Sequence, residues 1–511
     1  MAEHDESPQQ PRRRGTGLTY ASLEQWSSWR FLWHRMSVAV ARHSARLVHD
    51  PSKNYGASAV VGTVVAVLII GVCFVVSWIR PMGQIAEGTK LVADRSSGAL
   101  FVNVGGTMHP ALNLASARLV IGRPESPKLV PMAEIEKYPM GPIVGIEGAP
   151  NDLVPHAPAA TGWGLCDRVS SGGSKVTPRV TVLTGVADLG DWAHEMQSPE
   201  AVLMTYGGTV YLVTDGHRSQ IDLADRPVML ALGLQAGSVK TVPMSRALYE
   251  ALIPTAPLRV PDVPNPGGPV GYWDPDLAVV SGSVLKALGA TGEQQFFVAL
   301  PAGLQMIPKS VALMLHNADL AGTGRVLEVE PNAVAQAPHA VGFDTSMYPR
   351  GPLKLLDKAA SPVTCVMWRK DSAQPQATVT TVSGRRLPIA IGEEARVINL
   401  VSAKAHDAAD AVYLGPESAN FVQVTGVEPN SGRSESLWWI GATGVRFGIE
   451  TAGQGNRTLA SLGLDAARPT LAPWAVIRWL PAGPTLSPEA AKVEHDTLAG
   501  SRTAVPMRQG R

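Results

Sequence analysis

The chain has 511 residues, of which 44 are basic and 43 acidic, so its formal net charge is only +1. This balance argues against a nucleic-acid binder, which would carry a basic stripe or a strongly basic domain. Hydrophobic residues make up 45% of the chain, yet only one stretch is long and apolar enough to cross a bilayer. About 430 residues follow that stretch, enough for two to four globular units on a single anchor.

The N-terminal region is predicted to be a polar tail followed by a helix. Residues 1–17 contain prolines and the run Arg12–Arg14, and we predict a disordered tail. Residues 18–56 contain a helical pattern in which tryptophans supply an apolar part and arginines spaced by 5, 7 and 4 residues indicate a basic side. Such a helix lies at a membrane interface or docks on a partner, and ordinary packing against another subunit is compatible with both.

Residues 57–79 are predicted to form a single transmembrane helix. They include no charged residue, proline or amide side chain, and a helix of about 23 residues spans roughly 34 Å, enough for a bilayer core of about 30 Å. Buried core helices are usually shorter and amphipathic, and more than 50 residues precede the stretch, unlike a signal peptide. Basic residues are almost equal in number on the two sides of this stretch. The positive-inside rule therefore favours an N-terminus inside the cell only mildly.

Short strands with glycine turns recur along the rest of the chain. The first pair turns at Gly105-Gly106 and the second at Asp215-Gly216, and a more helical segment follows each. Strand, turn and return strand are typical of a β-hairpin. A fourth copy begins at Trp438 and a weaker third copy at Gln295. Because the turns are irregularly spaced, by about 110, 87 and 141 residues, we expect four related α+β units with insertions rather than a solenoid.

Three cysteines occur, and one of them, Cys73, lies inside the predicted span. Cys166 and Cys365 lie in two β-rich stretches outside the repeats. They form either one disulfide in an oxidising compartment or two buried thiols. If they pair, the two stretches must meet and build one central β-rich domain. The expected divisions are then 80–149 (repeat 1), 150–202 (first stretch of the central domain), 203–293 (repeat 2 and linker), 294–337 (repeat 3), 338–436 (second stretch of the central domain), 437–488 (repeat 4) and 489–511 (flexible tail).

Motifs for chemistry are absent from the sequence. It has no Gly-x-x-x-x-Gly-Lys-Ser/Thr loop for phosphates and no Gly-x-Ser-x-Gly elbow, and His194-Glu195 lacks the second histidine of a zinc-protease helix. His109 and His217 each follow a hairpin turn, where a solvated turn residue is a simpler interpretation than a repeated binding position. We therefore predict no catalytic, cofactor-binding or metal-binding residue, and no cofactor.

Several segments together resemble the EccB component of the mycobacterial type VII (ESX) secretion systems. They are Gln25-Trp-Ser-Ser-Trp-Arg-Phe-Leu-Trp-His-Arg before the span, Arg80-Pro-Met-Gly-Gln-Ile after it, and His109-Pro-Ala-Leu-Asn-Leu-Ala-Ser-Ala-Arg-Leu in the first repeat. The resemblance covers nearly the whole chain.

This resemblance implies a single-pass inner-membrane protein with a cytosolic N-terminus and a periplasmic C-terminal region. The implied fold class is α+β: an N-terminal amphipathic helix, one transmembrane helix, and an elongated periplasmic region of four hairpin-rich repeats around a central mostly-β domain. In this family a disulfide ties the central domain together, and the matching residues here are Cys166 and Cys365. Partner contacts are expected from the cytosolic helix, at Gln25, Trp29, Arg30, Phe31 and Arg35.

The partners implied by the resemblance are an EccC-like ATPase, EccD-like and EccE-like membrane proteins, the mycosin protease and other EccB copies, with no nucleic acid. Two functions stay open. One is a structural core subunit that scaffolds the secretion complex through its N-terminal and transmembrane helices and organises the periplasmic side through its repeats. The alternative is an envelope-facing nucleotide hydrolase, an activity attributed to the family for which this sequence offers no phosphate-binding motif.

Overall fold

A computed structural model of the chain describes residues 23–43, 52–79, 84–169, 177–235, 237–273, 278–289, 291–401, 408–453 and 455–498. The predicted tails at 1–17 and beyond 498 lie outside these residues. The chain divides into two units, 1–84 and 85–511. The first contains helix α1 (Leu23–Arg42) and helix α2 (Ser52–Ile79).

Helix α2 is the one helix in the described part of the chain that is long and apolar enough to span a membrane. Its 28 residues correspond to a length of about 42 Å. Residues 56–76, whose side chains are all exposed, form its apolar segment. Because β-branched and leucine side chains have no packing partner there, a hydrocarbon environment satisfies this surface and water does not.

The second unit consists of short strands and helices. Its strands are β1 (Leu91–Asp94), β2 (Leu100–Val104), β3 (Thr107–Ala111), β4 (Lys128–Val130), β5 (Ile143–Val144), β6 (Ala160–Arg168), β7 (Arg179–Thr184), β8 (Ala193–Glu195), β9 (Glu200–Tyr206), β10 (Thr209–Thr214), β11 (His217–Gln220), β12 (Val242–Pro243), β13 (Ile253–Pro254), β14 (Val284–Leu288), β15 (Gln294–Leu300), β16 (Gly303–Ile307), β17 (Leu327–Glu328), β18 (Lys354–Leu355), β19 (Val363–Asp371), β20 (Thr378–Gly384), β21 (Val397–Asn399), β22 (Ala411–Leu414), β23 (Phe421–Thr425), β24 (Leu437–Ile440), β25 (Arg446–Ile449), β26 (Thr470–Pro473) and β27 (Glu494–His495). Its helices are α3 (Leu114–Ile121), α4 (Met132–Ile135), α5 (Arg226–Ala231), α6 (Arg246–Ala251), α7 (Lys309–Ala318), α8 (Pro331–Gln336), α9 (Gly455–Leu462), α10 (Trp474–Ile477) and α11 (Pro488–Ala491), with a 3-10 turn at Glu393–Arg396.

Four sheets share one topology, which defines the repeats. In each, three antiparallel strands are followed by a helix and by a fourth strand that pairs in parallel with the first. The four sets are β1–β3, α3 and β4 (repeat 1), β9–β11, α5 and β12 (repeat 2), β14–β16, α7 and β17 (repeat 3), and β23–β25, α9 and β26 (repeat 4). A later segment then pairs in parallel with the third strand in every repeat. The predicted α+β fold is confirmed, including the weaker third copy.

The hairpin turns have the backbone geometry that their sequences indicate. Gly105 and Gly106 have φ values of 62° and 89°, and Asp215 and Gly216 have values of 40° and 77°. Two consecutive residues with positive φ fit the type I′ hairpin turn, which suits strand twist and favours glycine and aspartate.

The first strand of three repeats begins earlier than expected. Strand β9 begins at Glu200, three residues before the expected start of repeat 2. Strand β14 lies in the range assigned to the repeat 2 linker, and β23 lies in the range assigned to the central domain. Both strands precede the hairpin turn by which the copies were identified. Gly289 and Gly292 do follow β14, but this earlier turn was not used to define the copy.

The central sheet combines strands from the two stretches that carry Cys166 and Cys365. Its order is β21-β22-β7-β6-β19-β20-β8. The long neighbours β6 and β19 pair over their whole length and place the two cysteines directly opposite one another. Their buried side chains form a disulfide between residues 199 positions apart, as predicted.

The repeats pack in pairs that are distant in sequence. Repeats 1 and 4 share a core in which Leu119 and Ala115 of α3 meet Phe421, Trp439 and Leu462. Repeats 2 and 3 share a core built around α5 and Met314 of α7. Strand β27, which follows repeat 4 in the chain, pairs with β5 in the sheet of repeat 1 and so connects the first pair of repeats. Residues 488–495 are therefore an ordered helix and strand, a correction to the flexible tail predicted from 489.

Candidate functional sites on the N-terminal helix and the central sheet

Helix α1 presents a continuous apolar stripe. Trp26, Trp29, Trp33, Met36 and Val40 recur at alternating spacings of three and four residues, so they fall on one side of the helix. Each is between 59% and 74% exposed. The rings of Trp29 and Trp33 lie 6.1 Å apart between centroids. Because this much aromatic surface is costly to leave in water, the stripe has the character of a contact surface.

The five predicted contact residues do not share one side of the helix. Trp29 belongs to the stripe and Gln25, one turn before it, lies at the edge of the stripe. Phe31 and Arg35 are one turn apart on another side. At about 100° per residue, Arg30 projects between these two pairs. All five together can contact a partner only if it surrounds the helix, whereas the stripe needs only one flat partner surface. Their partner contacts stay a prediction.

A row of polar side chains crosses the central sheet beside the disulfide. The strand register places Asp167 of β6 opposite Thr364 of β19, and Thr364 opposite Ser383 of β20. All three side chains are buried, and the Thr364 hydroxyl has no hydrogen-bond partner among the described residues. Sequence reasoning missed this row because the three residues are far apart along the chain and each looks like an ordinary strand residue.

The Asp167 carboxylate binds the beginning of helix α6. It accepts hydrogen bonds from the backbone N–H and the hydroxyl of Ser245, at 2.7 and 2.6 Å. Ser245 in turn caps α6, because its oxygen accepts the N–H of Leu248. Burial raises the pKa of Asp167 to about 7; the Ser245 hydrogen bonds oppose this rise, and the nearby charge of Asp410 adds to it. The site therefore holds repeat 2 against the central sheet with a carboxyl group that is only partly ionised at neutral pH.

Lys358 lies at the Ser383 end of the row. Its ammonium group donates hydrogen bonds to the Val363 carbonyl at 2.8 Å and to the Ser383 hydroxyl at 3.1 Å. Burial lowers the pKa of this amine from 10.5 to about 7. Ser383 has no exposed surface, so its hydroxyl cannot reach a substrate and does not act as a nucleophile with Lys358 as its base.

The two histidines noted at hairpin turns have different surroundings. His109 is the third residue of β3 and its Nδ1 lies 3.1 Å from the Pro142 carbonyl, whereas His217 is the first residue of β11 and contacts the carbonyl of Asp215. They are not equivalent positions, which corrects the idea of a repeated binding residue. Within the described ranges, no three histidine, cysteine or acidic side chains are grouped as metal ligands would be.

The chain is similar to known proteins over almost its full length. The family described as "Type VII secretion system ESX-1, transport TM domain B" matches residues 19–500. A relative from Mycobacterium tuberculosis, "ESX-5 secretion system ATPase EccB5", is 41% identical over 502 residues, covering 97% of this chain and 98% of the relative. "ESX-2 secretion system ATPase EccB2", from the same species, is 38% identical over 484 residues and covers 94% and 96%.

Solved structures are similar in fold as well. A chain in "Structure of an intact ESX-5 inner membrane complex" matches with a TM-score of 0.74 and 39% identity, over 96% of this chain and 99% of that one. A chain of the periplasmic assembly from the ESX-5 inner membrane complex gives 0.71 and 43%, over 83% and 100%. The EccB3 dimer from the ESX-3 core complex gives 0.70 and 35%, over 79% and 100%.

Proposed function

Because this chain belongs to the EccB family of the type VII secretion system, we propose that it is a structural core subunit of an ESX inner membrane complex. One observation carries the proposal: the relative matched over 96% of this chain is part of an intact ESX-5 inner membrane complex. The sequence carries no catalytic motif, and the chain contains four repeats of one topology. Both observations agree with a subunit that acts by binding its neighbours.

The proposed topology has the N-terminus in the cytoplasm and the unit from residue 85 onward in the periplasm. Two observations support it: a chain of a periplasmic assembly matches 83% of this one, and a disulfide is expected in an oxidising compartment. Protease treatment of intact spheroplasts tests it. The unit from residue 85 should be digested while an N-terminal epitope tag survives, and the reverse pattern would contradict the topology.

We propose that the apolar stripe of α1 binds another core subunit on the cytoplasmic side. The expected partners are an EccC-like ATPase and EccD-like and EccE-like membrane proteins, with the mycosin protease and further copies of this chain meeting the periplasmic unit. Tryptophan is the residue type most enriched among energetically dominant interface positions, and three of the five stripe residues are tryptophans. A membrane-surface helix is the competing role for the same stripe.

Co-purification of tagged protein from membranes tests this role. Deletion of 25–46, or the double change Trp29→Ala and Trp33→Ala, should release the other core subunits. Ser27→Ala with Val38→Ala, on a different side of α1, serves as the matched control and should leave the complex intact. Intact assembly after the tryptophan changes would contradict the docking role, and binding of the isolated α1 peptide to lipid vesicles would then favour the membrane-surface role.

A second candidate function is nucleotide hydrolysis, because the relatives carry the name ATPase. No phosphate-binding loop of the usual sequence supports it here. ATP turnover by the purified region from Arg80 onward separates the two functions. Turnover that co-elutes with the protein and survives further purification would establish nucleotide hydrolysis. Turnover at background level would leave the structural role as the one supported function.

A further inference from the structure

A solvent-accessible cleft lies between repeat 2 and the chain that leads into the central sheet. Its volume is about 710 Å³. One side of its wall is formed by residues 233–235 and 238–243, between the end of α5 and β12, and another by residues 353 and 355–359, around β18. Ligand sites in proteins commonly have volumes of about 300–1,000 Å³, so the cleft is large enough for a small ligand or the end of a peptide.

A cation without a counter-ion belongs to this wall. Lys358 lies largely buried, and its ammonium group has only neutral acceptors, the Val363 carbonyl and the Ser383 hydroxyl. Among the described residues no carboxylate lies within ion-pair distance of it. Asp167, on the same polar row, lies two strands away and is engaged by Ser245. Burying an ammonium group without a counter-charge is costly even when neutral acceptors satisfy its hydrogen bonds, and an anion in the cleft would lower that cost.

The remaining charges of the wall favour an anion. Lys240 is exposed and makes no ion pair within the described ranges, and the carboxylate of Asp357 accepts the N–H of Ala359. Two lysines against one aspartate leave the cleft with a net positive charge when Lys358 is protonated.

The rest of the wall combines aliphatic side chains with hydroxyl groups and the amide of Gln235. Leu234, Leu353, Leu355, Leu356 and Val242 contribute aliphatic surface, and Ser238 and Thr241 contribute hydroxyl groups. Aliphatic side chains of a ligand would be desolvated by this surface. The hydroxyls and the backbone of 238–241 favour a peptide over a hydrocarbon chain, because peptide amide groups can form hydrogen bonds there.

We propose that this cleft binds the C-terminal carboxylate of a peptide whose last residues are aliphatic, with Lys358 and Lys240 attracting the carboxylate. The partner is thus a protein with a free apolar C-terminus. This site is independent of the α1 stripe and of the role proposed for it. A charge-assisted hydrogen bond to a carboxylate is among the stronger polar contacts, so the carboxylate should dominate recognition.

Fluorescence anisotropy with the full-length protein in nanodiscs tests the site. The probes are a fluorescein-labelled hexapeptide ending in Leu-Leu with a free carboxylate, and the same peptide as a C-terminal amide. The carboxylate form should bind at least about tenfold more tightly. Lys358→Met should reduce its affinity to that of the amide, whereas Lys354→Met, a control lysine outside the cleft wall, should leave it unchanged. Equal binding of the two peptides, or binding unchanged by Lys358→Met, would overturn the proposal.

A second readout on the unmodified protein does not depend on how a variant folds. Trace acetylation with acetic anhydride at neutral pH, followed by peptide mass spectrometry, measures the reactivity of each lysine. The carboxylate peptide should protect Lys358 and Lys240 and leave Lys354 reactive. No protection at peptide concentrations up to about 1 mM, or stronger protection by dodecanoate than by the peptide, would refute a peptide site.

Discussion

The buried carboxyl group of Asp167 should make the stability of the periplasmic unit depend on pH. Its folded-state pKa is about 7, against an ordinary value of 3.8, because the side chain is removed from water. This difference corresponds to about 4 kcal/mol of unfolding free energy. Because the folded pKa is the higher one, the folded state keeps its proton where the unfolded chain has lost it. The contribution of Asp167 to stability therefore falls as pH rises from about 4 to about 7, and the full cost is present above that range.

The substitution Asp167→Asn removes the ionisation and keeps the shape. It also weakens the hydrogen bonds to Ser245, which costs about 1–3 kcal/mol at every pH. The absolute change in stability is thus the sum of two opposing effects, the removed cost of ionisation and the weakened hydrogen bonds. Only the removed cost of ionisation depends on pH. The unfolding free energy of the variant minus that of the unmodified protein should therefore increase by about 2–3 kcal/mol when the pH is raised from about 5 to about 8.

Urea unfolding of the region 85–511 measures this difference in unfolding free energy between variant and unmodified protein. Tryptophan fluorescence monitors the unfolding, and the disulfide is kept intact. Trp163 and Trp368 are buried in the same sheet and report its unfolding. The control Asp191→Asn changes a carboxylate that is 86% exposed, and should alter stability by less than about 0.5 kcal/mol at either pH. A stability difference for Asp167→Asn that is the same at both pH values would refute the reasoning.

Four further results are expected. Replacing Cys166 and Cys365 by serine should lower the unfolding free energy by up to about 5 kcal/mol, since the bond closes a loop of 199 residues, and denaturant unfolding measures it. Without reductant, thiol reagents should label Cys73 in detergent and leave the other two unlabelled. Asn113→Ala should cost about 1–3 kcal/mol in the same assay, because its buried side chain caps α3 through Ser116 and also donates to a distant carbonyl. Truncation after residue 487 removes β27 and should expose the β5 edge of repeat 1, seen as faster amide exchange over 143–146.

Features set by local sequence were predicted well. The long apolar helix α2 follows from the absence of charge over a bilayer-length stretch, and the hairpins follow from paired residues that tolerate positive φ. The repeat of strand, turn, strand and helix was visible because each copy carries its own turn. The first strand β14 was left out of repeat 3, although Gly289 and Gly292 follow it, because the copies were recognised by their second turn; its pairing with β15 shows that it belongs there.

Features set by long-range packing could not be read from the sequence. Asp167 resembles any strand aspartate until β6 is aligned with β19 and α6 is docked on it. Residues 488–495 look like a small, charged tail in the sequence, and their order comes from the antiparallel pairing of β27 with β5, which itself pairs in parallel with β3. The stripe on α1 was partly visible as tryptophan content, but separating it from Arg30 and Arg35 requires the helical projection of each residue.

Site-specific photocrosslinking from α1 is the sharpest test of whether this chain assembles into the secretion complex through the stripe. A benzophenone-bearing residue in place of Trp33 would report on the stripe, and the same residue in place of Ser27 on a different side of the helix. We predict that position 33 forms a crosslink to another core subunit in native membranes and that position 27 does not. Crosslinks from both positions alike, or adducts from position 33 with lipid only, would rule out assembly through this surface.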